Sequence, residues 1–160
     1  MIYRSKLLID TREKWTQGAD RWRMIDYFSA HCYMWVVRKL DVGDYMFDGG
    51  RITVDRKQDL DELSKNLTNR ADFARFMDEV RKARAERLKL IVLCEHGRGV
   101  KSIPDVAKWQ SEFSHVSGRA LMDRIYKVHI SYGVEFLFCD KRETSRRILE
   151  ILGDGKNRKF

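Results

Sequence analysis

Apolar residues along this chain follow two rhythms: short runs closed by charge, and longer stretches in which they recur every three or four positions. Lys6-Leu7-Leu8-Ile9-Asp10 is too short for two helical turns and predicts a buried strand over 5–10. Trp22, Met24, Ile25, Tyr27 and Phe28 recur at helical intervals among Asp20, Arg21, Arg23 and Asp26, which predicts an amphipathic helix from Gly18 to about His31. The aromatic and β-branched run from Cys32 to Arg38 predicts a strand. Asp48-Gly49-Gly50, with glycine available for positive φ, predicts a hairpin turn between strands at 45–47 and 51–54.

Beyond Lys57 the period changes. Leu60, Leu63 and Leu67, then Phe73, Phe76, Met77, Val80 and Ala83, fall at three-and-four spacing and predict helices over 59–67 and 71–87, the second long and basic. Residues 88–94 (Leu-Lys-Leu-Ile-Val-Leu-Cys) predict a buried strand, and Glu95-His96-Gly97-Arg98-Gly99 a loop. A helix over 117–132 should bury Leu121, Ile125, Val128 and Tyr132 on one face before Gly133 breaks it. A strand over 134–139 and a closing helix over 144–152 follow. There is no repeat, low-complexity segment or internal linker, so the expectation is one α/β domain over 1–153 with a loose basic tail over 154–160.

Composition narrows the partners. A chain of 160 residues, 43% hydrophobic, can bury one sizeable core. Its 32 Lys and Arg against 24 Asp and Glu leave a net charge of +8, which favours polyanions, nucleic acid being the commonest. No run approaches the ~18–20 apolar residues of a membrane span. The N-terminal segment reaches Asp10 after three consecutive apolar residues and lacks a secretory core, so the expected location is intracellular. Cys32, Cys94 and Cys139 lie far apart in apolar surroundings and read as reduced core thiols. His31, His96, His115 and His129 show no metal-ligand spacing. Trp15, Trp22, Trp35 and Trp109 suit either a core or base stacking, and Arg81-Lys82-x-Arg84-x-x-Arg87 either a solvated helix face or a track for a phosphate backbone. His96-Gly97-Arg98-Gly99 lacks the Lys-Ser/Thr of a phosphate-binding loop, so no nucleotide cofactor is expected.

The residues with the most chemistry are Asp44, after Gly43, and the pair Asp55 and Lys57. Residues two apart on a strand project from one face, so Asp55 and Lys57 point together while Arg56 points away. The predicted hairpin folds Asp44 back beside Asp55. Two carboxylates and a lysine converging are what divalent-metal-assisted phosphodiester hydrolysis requires, the acids as hard oxygen ligands and the amine beside the attacking water or the developing charge. The same spacing also arises as an ordinary turn followed by a strand.

Asp10-Thr11-Arg12-Glu13 after an apolar strand, then Gly43-Asp44-Tyr45, then Val54-Asp55-Arg56-Lys57 with Asp61 four residues on, resembles the XPF family of structure-selective nucleases. That family's pattern is D-x-R-E, G-D-Y and V-E-R-K-x-x-x-D-L. Arg75-Phe76-x-x-Glu79, the strand ending in Glu95 and the elements from Ser117 to Leu152 extend the resemblance over nearly the whole chain. The resemblance implies a restriction-endonuclease-like fold, a central mixed sheet flanked by helices, and Mg²⁺- or Mn²⁺-dependent cutting of DNA at branched, flap or junction structures. It implies Asp44 and Asp55 as metal ligands with Asp10 supporting the metal, Lys57 as the residue that orients water or stabilises charge, and Arg12 as part of the catalytic set. Arg12 and Arg56 would contact phosphate or brace the carboxylates, with Glu13 and Asp61 behind them; Arg12–Glu13 and Arg56–Asp61 also read as surface ion pairs. Family members pair through the elements after Ser117, which implies a homodimer. Asp55 stands where the family has Glu, one methylene shorter, drawing the carboxylate back by about 1.5 Å. The rival reading is a catalytically silent DNA-binding subunit paired with an active nuclease.

Overall fold

The computed structural model describes residues 2–13 and 19–154, and of residues 19–22 and 154 the backbone alone. Trp15, the Trp22 side chain and, apart from the Asp154 backbone, the expected tail over 154–160 thus lie outside the described residues and side chains. The elements follow in the order β1 (Tyr3–Ile9), α1 (Ala19–His31), β2 (Cys32–Val37), β3 (Tyr45–Phe47), β4 (Ile52–Lys57), α2 (Leu60–Thr68), α3 (Arg70–Ala85), β5 (Lys89–Cys94), α4 (Gly118–Tyr132), β6 (Glu135–Phe138) and α5 (Thr144–Asp154). One six-stranded sheet runs β2-β1-β3-β4-β5-β6. The β1–β3 and β3–β4 pairs are antiparallel and the other three parallel, which makes the sheet mixed, as expected.

Each face of the sheet carries its own core. Val92 and Cys94 of β5 turn toward α2, α3 and α4, where they meet Leu63, Leu67, Phe76, Val80, Leu121 and Ile125. Ile91 and Leu93, the alternate residues of β5, turn the other way, toward Phe28 of α1 and Ile148 and Leu152 of α5. A strand covered on both faces reads as the unbroken apolar run seen at 90–94. Each fully buried leucine or isoleucine contributes roughly 1.5–3 kcal/mol.

Helix boundaries follow local chemistry. Asp59 caps α2 by accepting from the Glu62 N–H, and Asn69 ends α2 and caps α3 by accepting from the Asp72 N–H. Ser117 caps α4, and Gly133, at φ 70°, closes it. A 3₁₀ turn at Ile103–Lys108, absent from the sequence expectation, fills the stretch between β5 and α4. Gly118 packs so close beneath it that a Cβ there would lie 2.2 Å from the Val106 carbonyl oxygen. Tyr132 departs from the buried face expected of it: it is 41% exposed, with the Arg84 guanidinium over its ring. The three cysteines are buried and free. Among the described residues no helix is long and apolar enough to cross a membrane.

Candidate active site

β4 runs between β3 and β5 as far as Lys57, and its alternation divides the chemistry between the two faces of the sheet. Asp55 and Lys57 pair in register with Val92 and Cys94 and so face α2 and α3. Lys57 Nζ lies 3.2 Å from Asp55 Oδ1 and donates to Asn66 Oδ1 of α2 at 3.1 Å. Burial, which lowers an amine's pKa, is outweighed by the charges of Asp55, Glu62 and Asp44, and Lys57 is held above its ordinary value.

The hairpin brings Asp44 to the same place. Gly43 adopts φ 73°, and a Cβ on it would lie 2.0 Å from Thr53 Oγ1, so the turn requires glycine. Asp44 then donates its N–H to the Val54 carbonyl at 2.7 Å, and its Oδ2 accepts from the Arg56 N–H at 2.8 Å. Burial and the neighbouring charges of Asp55 and Glu13 push the Asp44 carboxyl well above the usual carboxylate range.

The cleft holds three further acids that the sequence expectation does not place among the site residues, Asp41, Asp78 and Glu79. Glu79 of α3 accepts from the Gly43 N–H at 2.7 Å, and burial together with Asp55 raises its pKa to about 7. Its signal in the sequence is an acid three residues after Phe76, in a helix where Arg and Lys outnumber the acids. Asp44, Asp55, Lys57 and Glu79 share a cleft of about 440 Å³, with Arg12, Arg75 and Lys82 also on its walls.

Asp10 stands behind this cleft. Its Oδ1 accepts from the Leu40 N–H, its Oδ2 from the backbone N–H and Nε of Arg12, and its own N–H donates to the Asp44 carbonyl. Against desolvation, the bonds from Leu40 and Arg12 hold Asp10 below the usual carboxylate range. Arg12 remains 69% exposed at the cleft wall. Arg56 lies on the opposite face of β4, its side chain 7% exposed, bonded to Glu13 and to Glu95. Glu13 also accepts from the Tyr45 hydroxyl, and Glu95 from the Thr144 hydroxyl. The surface pairs expected from sequence are thus replaced: Arg12 pairs with Asp10 rather than Glu13, and Arg56 with Glu13 and Glu95 rather than Asp61. Asp61, in the first turn of α2, accepts from Ser111 Oγ at 2.6 Å and lies outside the residues lining the cleft. Of the eight expected site residues, Asp44, Asp55, Lys57 and Arg12 share the cleft; Asp10, Arg56 and Glu13 support it from behind.

The donor set can be tested against a divalent cation. Asp55 Oδ2 is buried with no hydrogen-bond partner among the described residues, and the surroundings of Asp44 disfavour its charged form. Both conditions would be relieved by a hard cation held by Asp44 and Asp55. Among the described residues no three His, Cys, Asp or Glu side chains stand close enough to hold an ion together. Mg²⁺ commonly takes one or two carboxylates and keeps several waters, so Asp44 and Asp55 would be enough to hold it.

The ERCC4 domain family matches residues 9–152 of the chain. Of solved structures, XPF from Aeropyrum pernix is similar at TM-score 0.65 and 17% identity, over 96% of this chain and 66% of that one. The same protein in complex with DNA is similar at TM-score 0.64 and 18% identity, with the same coverage. The chain therefore spans about two thirds of the length of the structures it matches. No curated protein sequence matches it.

Proposed function

The chain belongs to the ERCC4 domain family, and from that membership and the acidic cleft beside Lys57 we propose that it is a Mg²⁺- or Mn²⁺-dependent endonuclease that hydrolyses DNA at branched, flap or junction structures. The observation that carries the reading is the buried, unpartnered Oδ2 of Asp55, a residue that lines the same cleft as Asp44. A protein that only bound DNA would gain nothing from two repelling acids held beside a lysine.

Asp44 and Asp55 would hold the ion, which when bound supplies a Lewis acid for a phosphoryl oxygen and lowers the pKa of a coordinated water. Lys57, fixed by Asp55 Oδ1 and Asn66, would orient the attacking water and offset the negative charge that develops at phosphorus. Arg12 is the cation placed to meet the phosphate, since its guanidinium remains exposed after pairing with Asp10. Asp10 acts through Arg12 and through the carbonyl of Asp44. Arg56, buried behind β4, braces the strand that carries both Asp55 and Lys57.

A second copy of the chain would dock through the elements after Ser117, where Ile130 and Tyr132 of α4 are 78% and 41% exposed. Incubation with end-labelled duplex, single-strand, flap and four-way DNA in Mg²⁺ and in Mn²⁺ tests the substrate class. The expected result is cleavage of flap or junction DNA ahead of linear duplex; equal cutting of all four would remove the structure preference. Gel filtration at micromolar concentration should give a dimer, and a 19 kDa particle would remove the pairing.

A further inference from the structure

Apart from the cleft, and sharing none of its lining residues, lies a larger cavity, about 740 Å³, whose walls include Trp109, His96 and Phe113, with Arg98 and Lys108. Phe113 is the most exposed large apolar side chain among the described residues, at 84%. Its loop is nonetheless held firmly. Buried Ser111 accepts from the N–H groups of Phe113 and Ser114 and donates to Asp61 Oδ1, while Gln110 and Ser117 close the loop with a β-bridge. His96 is fixed from the same helical turn, its Nδ1 accepting from the Leu60 N–H, which leaves Nε2–H free to donate. Its ring meets Trp109 edge-on at 6.5 Å.

We infer that this cavity binds an unpaired nucleotide of the DNA substrate, its base stacked on Phe113 and its phosphates held by Arg98 and Lys108. The inference rests on the nuclease reading for the identity of the substrate. An aromatic ring held in water on a braced loop offers a π-face, which a base can use only when it is free of its complement. Arg98 and Lys108 are exposed and close no salt bridge among the described residues, Lys108 feeling the charge of Asp105 at longer range. Of the four acids on the cavity wall, three are engaged elsewhere, Asp59 capping α2, Asp61 holding Ser111 and Asp105 accepting from the N–H groups of Lys101 and Ser102, while Glu112 is exposed beside Phe113. Position supports the assignment as well. His96 and the Phe113 loop are both tied to the first turn of α2, which begins three residues after Lys57, so an unpaired strand could lie in the cavity while its neighbouring phosphate lies in the cleft.

The test is fluorescence of a single-stranded oligonucleotide carrying 2-aminopurine, titrated with the full chain in EDTA so that nothing is cut. The parent should quench the probe on binding. Phe113→Ala should abolish the quench and weaken single-strand affinity about fivefold or more, with a smaller loss on a duplex of equal length, and Phe113→Trp should restore both. Failure of the parent to quench, an unchanged Phe113→Ala, or equal loss on single strand and duplex would overturn the inference. Failure of the nuclease reading would look different: the quench would persist while no DNA was cut in Mg²⁺ or Mn²⁺.

Discussion

Asp55 and Lys57 sit two positions apart on β4, and the period of a strand is by itself enough to aim them at one side of the sheet. The pairing of Asp44 with Asp55 is legible in the sequence too, because Gly43 and the Gly49-Gly50 turn fix a short hairpin. Glu79 is harder to foresee, since nothing local in a helix tells which exposed turn will lie over a strand far away in sequence. Arg56 is ambiguous for the same reason, because its partners Glu13 and Glu95 come from other strands' ends. Two predictions belong at this scale. Arg56→Ala leaves two buried acids without their cation and should cost about 3–5 kcal/mol in denaturant unfolding. Glu79 has a folded pKa of about 7, above its ordinary 4.5, so protonation favours the folded state. Its stabilising contribution is complete below pH 4.5 and lost as pH rises through 7. Metal-free parent protein should therefore lose thermal stability over that range relative to Glu79→Gln, and parallel melting curves for the two would contradict the assignment.

Among the elements, every expected strand and helix forms, because each carries a strong period and a chemical stop such as Asp59, Asn69 or Gly133. The 3₁₀ turn over Ile103–Lys108 and the braced loop after it leave no such pattern, since their order comes from a capping Asp105 and from Ser111 reaching across to Asp61. The order of strands in the sheet is likewise not readable, because parallel neighbours such as β4 and β5 are set by the helices packed between them in sequence. The element on which the site depends most is the turn entering β3. Gly43→Ala forces a Cβ against Thr53 at a positive φ, so it should cost about 2 kcal/mol or more and impair cleavage beyond what the loss of fold explains. Gly49→Ala, in a turn of similar φ with open space around it, should be milder in the same thermal melts.

For the whole molecule, the proposed DNA binding should be salt-dependent, given a net charge of +8 and the cations Arg12, Arg75 and Lys82 on the cleft wall. The logarithm of affinity should fall linearly with that of salt concentration, and Lys82→Ala should reduce the slope by about one. A slope near zero would leave the positive charge without a nucleic-acid role. The central claim is that Asp44, Asp55 and Lys57 form a metal-assisted hydrolytic site. Its most direct test is cleavage of labelled flap and junction DNA in Mg²⁺ and Mn²⁺ by the parent, Asp55→Ala and Lys57→Ala, with DNA binding measured beside it. The account predicts that the parent cuts, that both variants lose at least about a hundredfold in rate, and that both still bind. Cutting that survives Asp55→Ala, or a parent that binds DNA and cuts it in neither metal, would contradict it.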